Sequence, residues 1–315
     1  MLDFLRSQAD PAGFPAVADA LRSRFLLHHR GGWNPYGTPD PEKRAAELAQ
    51  LAETPALAQV LVFHGDGFLR EAAVHALSGP IRLPVVAYGL LERLNDWSAE
   101  VRLAAEAAFA RWFPATPPAI LVPALWIVLL NGARWRRWQG GYDRLVAATL
   151  DDDALTLALL DQLSTQAAGG SGPIYQALAR DPRFDRHLPR IASAATHPML
   201  RARATDSLST GRVHWPLGTS RKVWIDKSLG RYRLAPDFGT RPLSMAAAPL
   251  PVLTLALQDR AAVVRRTALD GLIAHRHDPR LRPQINACLA SASDTDRPSI
   301  QARRDYLRTA LDTPA

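Results

Sequence analysis

Apolar residues recur along this chain at the spacing of an amphipathic helix, and one arrangement occurs four times. It consists of an apolar residue, arginine, two variable residues, alanine, three variable residues and a final apolar residue. Since the first apolar residue, the alanine and the last apolar residue are each four apart, they share one helix face. The four segments are residues 69–77, 101–109, 200–208 and 264–272.

The four arginines of this pattern are regularly spaced. Arg70, Arg102, Arg201 and Arg265 lie at separations of 32, 99 and 64 residues. These values are close to one, three and two units of a period of about 32–33 residues, which is typical of helical repeat proteins. A second apolar stretch that contains proline precedes three of the segments, at residues 81–96, 186–197 and 248–259. The sequence therefore predicts repeated pairs of helices.

A helix with proline, a short turn with aspartate and then Val-Arg-x-x-Ala resembles the HEAT and HEAT-like repeats. The resemblance implies an all-α fold, an α-solenoid of HEAT-like helical hairpins that forms a single domain over residues 1–315. We expect capping helices and a loop in residues 1–54, and one long basic and aromatic insert between repeats in residues 211–248.

The same resemblance implies structural roles for the charged residues of the pattern. In HEAT-like repeats the aspartate and the arginine help to tie neighbouring repeats together, and an aspartate before the helix is also a favourable cap. We therefore expect a structural ladder and no catalytic role for Asp66, Arg70, Asp96, Arg102, Arg201, Asp259 and Arg265.

Two places where a repeat is due contain clusters of basic and aromatic residues instead. The first cluster comprises Arg134, Trp135, Arg136, Arg137 and Trp138. If this cluster is helical, the two tryptophans share a face. One interpretation places the tryptophans in the core. The other is a partner-binding patch, because tryptophan and arginine are enriched in interface hot spots.

The second cluster lies in the insert. A long segment of this kind inside a domain is uncommon unless it is functional or disordered. The alternation in RKVWIDKSL predicts a short strand or one arm of a hairpin. The alternative interpretation is a structural flap over the core. The candidate partner-binding residues here are Trp215, Arg221, Lys222, Trp224, Arg231, Tyr232 and Arg233.

The net positive charge of the chain is compatible with several classes of partner. The formal net charge is +8 and the isoelectric point about 10.2, which suits nucleic acid, an anionic membrane surface or an acidic protein. A single cysteine, Cys288, excludes a disulfide framework within the chain and a Cys-rich zinc site. The longest apolar run, residues 119–130, is too short to span a bilayer. We expect a soluble cytoplasmic protein.

Catalytic signatures are missing from the sequence. It contains no G-x-S-x-G, P-loop, dinucleotide-binding or H-E-x-x-H motif. His275, His277 and Asp278 diverge at a predicted helix end, so we expect no metal site and no cofactor.

The function that we expect is therefore non-enzymatic. The chain would serve as a scaffold or adaptor for a protein partner with an acidic surface, such as the inhibitor- or immunity-type binders of bacteria. The alternative is a nucleic-acid-binding HEAT-like protein, including a DNA glycosylase of the alkylation-repair type, although no catalytic aspartate of that family is matched here. Steep salt dependence of binding would distinguish nucleic acid from protein.

Overall fold

The computed structural model describes residues 1–8, 10–25, 41–77, 79–138, 140–167, 169–291 and 297–312. Within these residues the chain is predominantly helical, with seventeen α-helices and one sheet of two strands. The prediction of an all-α fold class is thus confirmed apart from this small sheet. A helix long and apolar enough to cross a membrane does not occur in this part of the chain.

The chain divides into two compact units, Met1–Leu160 and Asp161–Ala315, where the sequence predicted a single domain. In unit 1, α5 packs on α7, and α6 packs on α7 and α8. Part of the predicted N-terminal cap, residues 26–40, lies outside the described residues. The helices are α1 (Leu2–Arg6), α2 (Phe14–Phe25), α3 (Pro41–Glu53), α4 (Ala58–Leu61), α5 (Gly67–Ala76), α6 (Pro84–Arg93), α7 (Ala99–Ala115), α8 (Pro118–Asn131), α9 (Gly141–Asp151) and α10 (Asp153–Thr165), which crosses into unit 2.

Unit 2 holds the remaining helices and the sheet. Here α12 packs on α13 and α14 on α15, while α13 packs on α15 and α15 on α17. The elements are α11 (Ser171–Ala179), α12 (Leu188–Ala194), α13 (Pro198–Thr210), β1 (Arg212–Asp226), β2 (Arg231–Pro242), α14 (Pro249–Leu257), α15 (Ala262–Ala274), α16 (Arg282–Ala290) and α17 (Pro298–Asp312). Short 3-10 helices cover Pro11–Gly13, Pro55–Leu57, Gly132–Arg134, Pro182–His187 and Pro279–Leu281.

The four segments with the recurring pattern form parts of α5, α7, α13 and α15, except that Leu77, the last residue of the first segment, lies just beyond the end of α5. Their shared apolar face points into the core. In α13, for example, Leu200, Ala204 and Leu208 are all buried. The small alanine in the middle of this face leaves room for the neighbouring helix to approach. The proline-containing stretches before three of these segments form α6, α12 and α14, so the helix pairs follow the sequence pattern.

The four arginines share one local geometry. Nη1 of each arginine donates hydrogen bonds to the carbonyl oxygens of the residues five and six positions earlier, at 2.6–3.2 Å. These carbonyls lie where the preceding helix has ended, and such carbonyls have no partner within a helix. Each arginine therefore stabilises the turn of its own helix pair.

Two of the arginines also join one repeat to the next. Arg70 donates through Nε and Nη2 to both oxygens of Asp96, at 2.8 Å each. Arg201 does the same to Asp259, at 2.6 and 2.8 Å. Each aspartate also accepts from the backbone N–H two residues further on, at 3.0 and 2.7 Å. By contrast, the hydrogen bonds that Arg102 makes within the described residues go to its own turn.

The turn before Arg70 contains a histidine as well as an aspartate. The residue six positions before Arg70 is His64, whose Nδ1 accepts from the backbone N–H of Asp66 at 2.9 Å. His64 therefore occupies the place that Asp96 takes in the next repeat. Asp66 lies two positions later, where it accepts from Nε of Arg44 in α3 at 2.7 Å. Asp66 also accepts from the backbone N–H of Phe68 at 2.9 Å, so it caps α5 and accepts from an arginine of an earlier helix, as Asp96 and Asp259 do.

We expect Arg70→Ala to lower the free energy of unfolding of unit 1 by about 3 kcal/mol. The substitution removes two hydrogen bonds from the Asp96 carboxylate, which is 1% exposed. The carboxylate would keep the 2.9 Å pair with Arg93 and the hydrogen bond from the backbone N–H of Ser98. The matched control is Arg102→Ala, which breaks turn contacts alone, with an expected loss of about 1 kcal/mol. Guanidinium titrations followed by circular dichroism measure both values. Equal losses would contradict a role for Arg70 between repeats.

Candidate functional site

The predicted insert forms a long antiparallel hairpin, with β1 and β2 paired from Arg212 and Pro242 at the root to Asp226 and Arg231 at the tip. Twelve residues of strand β2 correspond to about 40 Å of extended chain, far longer than the short strand predicted from RKVWIDKSL. Val213 is the one residue of these two strands that is fully buried. The hairpin is therefore exposed on both faces, which disagrees with the alternative of a flap over the core.

The root of the hairpin is held by a buried ion pair. The Arg241 guanidinium donates to both oxygens of Asp185, at 2.9 and 2.5 Å, and to the carbonyl of Ala179 at 2.7 Å. The backbone N–H of Ser244 donates to the same carboxylate at 2.7 Å. Burial by itself raises the pKa of Asp185, but the hydrogen bonds from Arg241 and Ser244 outweigh it and hold this pKa below its ordinary value of 3.8. Asp185 is therefore a firmly anionic anchor.

Two further contacts fix the base of the arm. The backbone N–H of Leu243 donates to the carbonyl of Gly211 at 2.8 Å, which closes the loop from α13 into β1 and back from β2. The indole of Trp215 lies flat on Gly239, where a Cβ atom would come within 2.4 Å of the indole nitrogen. Trp215 is half-buried, so this predicted partner-binding residue contributes to the root as well as to the surface.

One face of the hairpin tip combines aromatic rings with a cation. Trp224 is opposite Tyr232, and Lys222 is opposite Leu234, so these four side chains project from the same side. The rings of Trp224 and Tyr232 are 5.5 Å apart, edge to face. Nζ of Lys222 lies 4.6 Å from the centre of the Tyr232 ring. The contacts are local to the arm, and all four side chains remain exposed.

Basic side chains dominate the opposite face, and aliphatic side chains lie near the turn. Arg221 and Arg233 project from this opposite face and are exposed, as is Arg231. Near the turn, Ile225 and Leu229 are 69% and 64% exposed. Large apolar side chains clustered at a surface usually mark an interaction site. These aliphatic residues were not among those predicted from the sequence, although an apolar residue between turn-forming residues was an available signal.

The turn itself is ordered by one carboxylate. Oδ1 of Asp226 accepts from the backbone N–H groups of Ser228 and Leu229, at 2.8 and 3.2 Å. A hydrogen bond from the Ser228 side chain, followed by these backbone hydrogen bonds, lowers the pKa of Asp226 below its ordinary value. The tip therefore presents its apolar and basic groups from a defined turn.

The cluster around Trp135 is built differently from the prediction. The segment forms a 3-10 turn, Gly132–Arg134, followed by irregular backbone, so there is no common helix face. Trp138 is 6% exposed and packs on Gly141, where a Cβ atom would overlap the indole ring. Its assignment to a partner-binding surface was wrong, since this ring belongs to the core. Trp135 is half-buried, with its ring 5.6 Å from that of Trp138.

The arginines of this cluster remain at the surface of unit 1. Arg134, Arg136 and Arg137 are exposed, and the backbone N–H of Arg137 donates to Oδ1 of Asn95 at 3.0 Å. They form a basic patch on unit 1, while the hairpin belongs to unit 2.

An apolar groove of about 470 Å³ opens in unit 2 between α12, α13 and α14. Met245, which follows the hairpin root, lines it together with Ala192, Leu208, Val252 and Leu255.

Groups of three or more histidine, cysteine or acidic side chains that could hold a metal ion do not occur among the described residues. The described side chains of the arm and of the groove offer apolar, aromatic and cationic contacts.

Comparison of the chain with protein-family models, with curated proteins and with solved structures finds no match. The residues of the arm and their geometry are therefore what indicates a function for this chain.

We expect the contribution of Asp185 to stability to depend on pH. A carboxylate with a lowered pKa in the folded protein stabilises it above the unfolded pKa, and this stabilisation is lost as the pH falls through the folded pKa. Asp185→Asn should therefore lower the free energy of unfolding by about 3 kcal/mol at pH 5–7. The difference from wild type should shrink below pH about 4.

Denaturant titrations of both proteins at pH 7, 5, 4 and 3 measure this difference. The control is Asp237→Asn on the hairpin, whose carboxylate is 3.7 Å from Arg221 near the surface, and for which we expect a small effect at every pH. A loss for Asp185→Asn that stays constant down to pH 3 would show that the carboxylate charge is not what holds the root.

Proposed function

We propose that this chain is a non-enzymatic binding protein, a HEAT-like scaffold or adaptor, and that the tip of its hairpin recognises an acidic surface on a protein partner. We define the hairpin tip as residues 220–236. The observation that carries the proposal is the exposure of Trp224, Ile225, Leu229 and Leu234 on an arm that has a buried anchor. The HEAT-like assignment is supported by the recurring helix pairs and by their arginine-stabilised turns.

The composition of the tip favours a protein partner. Its aliphatic side chains add nothing to the core of unit 2, and they lose contact with water only when something apolar covers them. Tryptophan, tyrosine and arginine are the residue types that dominate binding energy at protein interfaces. Arg221, Lys222, Lys227, Arg231 and Arg233 outnumber the single acidic residue of the tip, Asp226. An excess of positive charge steers the arm towards an acidic surface.

The buried ion pair at the root supports a binding arm that is already in its bound conformation before the partner associates. A rigid arm has less conformational entropy to lose on binding, which improves affinity without additional contacts. Inhibitor- or immunity-type proteins have the same requirement, so the arm supports this class of function by analogy.

Nucleic acid is the second candidate, and one observation favours it. A two-stranded ribbon with arginines on one face, and Trp224 and Tyr232 on the other, combines phosphate contacts with rings on which bases stack. The aliphatic residues near the turn favour protein, because a phosphate backbone gives them nothing apolar to cover them. DNA glycosylase activity would first require such binding, so one test addresses both.

We expect Trp224→Ala to weaken binding of the protein partner about 30-fold, the effect of losing a hot spot of about 2 kcal/mol. The matched control is Tyr306→Ala on α17, an aromatic residue that is 56% exposed in the same unit, and we expect no change. Partners that wild type and the control capture from source cells, and that Trp224→Ala does not, would be purified. Isothermal titration at about 50 and 200 mM salt then gives the dissociation constants.

Charge reversal separates the two candidate partners. Labelled duplex DNA, single-stranded DNA and RNA are titrated with wild type, with Arg221→Glu/Lys222→Glu and with Arg134→Glu/Arg136→Glu/Arg137→Glu, and anisotropy is recorded. The control, Arg266→Glu/Arg282→Glu, reverses exposed charges elsewhere in unit 2. Nucleic-acid binding that falls steeply with salt, and is lost in the hairpin variant only, would overturn the protein proposal. Capture of the same proteins by every variant would overturn it too.

A further inference from the structure

A cleft of about 390 Å³ opens in unit 1 between α3, α5 and α7. We propose that this cleft binds a cationic side chain, preferably the guanidinium of an arginine, in a segment of a partner protein. Its lining includes Arg44, Asp66, Phe68, Glu71, Trp97 and Glu100. The proposal is independent of the function proposed for the hairpin, because the cleft lies in the other unit and has the opposite charge.

Two aromatic rings form the walls of the cleft. Phe68 is 60% exposed and Trp97 is 66% exposed, so most of each side chain is accessible to a ligand. Each ring already lies against an internal guanidinium: that of Arg44 is 4.2 Å from the centre of Phe68, and that of Arg70 is 5.4 Å from Trp97. These are distances at which cation–π attraction operates. The solvent side of each ring is suited to the same kind of contact.

The charge of the cleft is negative once its internal ion pairs are counted. Arg44 is paired with Asp66 at 2.7 Å, so the lining leaves Glu71 and Glu100 as additional carboxylates. A hydrogen bond from the side chain of Ser98 lowers the pKa of Glu100, which is therefore an anion at neutral pH. The cleft therefore carries a negative charge, although the net charge of the whole chain is +8.

The combination of rings and carboxylates selects the ligand class. An anionic group would be repelled by Glu71 and Glu100, and a purely apolar group would leave both carboxylates without a counterion. Arginine satisfies both features, since its flat guanidinium stacks on aromatic faces and also donates paired hydrogen bonds to a carboxylate.

The test uses the full chain labelled with ¹⁵N and a capped peptide of alternating glycine and arginine. The eight tryptophans give separate indole N–H signals, and Trp97→Phe identifies the signal of Trp97. We expect a saturable shift of this signal with the arginine peptide and none with the matched glycine–glutamate peptide. Glu71→Gln/Glu100→Gln should weaken the dissociation constant about three- to tenfold, as for exposed ion pairs.

The matched control neutralises two other exposed acidic residues of the same unit, in Glu53→Gln/Asp143→Asn, and we expect no change of affinity. Equal weakening in this control would show attraction to net charge alone and would overturn the site. A shift of the Trp224 signal in place of Trp97, or no saturable shift at all, would overturn it as well. Loss of the Trp97 shift without a Trp224 shift would leave the proposal for the hairpin unaffected, since the two sites are tested by different signals.

Discussion

The guanidinium group is the structural device on which this molecule depends. A helix that ends leaves carbonyl oxygens without partners, and the five donors of an arginine reach such carbonyls and a nearby carboxylate at once. Arg70 and Arg201 do this between repeats. Arg241 does the same at the hairpin root, where it joins the carbonyl of Ala179, at the end of α11, to Asp185. The same pattern of arginine hydrogen bonds, to helix-end carbonyls and to a carboxylate, therefore stabilises both the repeated helices and the hairpin inserted between them.

Much of the helical fold could be predicted because its signals are local. The arginine, alanine and apolar positions of one helix face recur with a fixed period, and each of the four segments forms part of a helix. The contacts that could not be predicted are those that the spacing of residues along the sequence does not determine. His64 replaces an aspartate because an imidazole nitrogen accepts the same backbone hydrogen bond. Trp138 is buried because irregular backbone turns it onto Gly141. Asp185 gave no signal, since its partner Arg241 is 56 residues away in the chain.

The position of the hairpin could be predicted from composition, but the length of its strands could not. Basic and aromatic residues that do not follow the period indicated an insert over residues 211–248, and both strands lie within it. Their length was missed because proline and glycine at positions such as Pro216, Gly218 and Pro236 are typical of loops. In a two-stranded ribbon these residues are tolerated, since each strand is an edge strand and positions that do not donate to the partner are available to proline. A bulge between Pro216 and Ser220 accommodates part of this irregularity.

An isolated ribbon also presents a hazard, because each of its two outer edges carries unpaired backbone groups on which another strand could add. Natural sheets avoid such self-association with prolines, bulges and charges along the edge, and this arm has all three. Pro216, Pro236 and Pro242 have no backbone N–H to donate to an added strand, and like charges on neighbouring arms repel one another. The sequence features that leave this arm free to present apolar side chains to a partner are thus the same features that disfavour pairing between two copies of the arm.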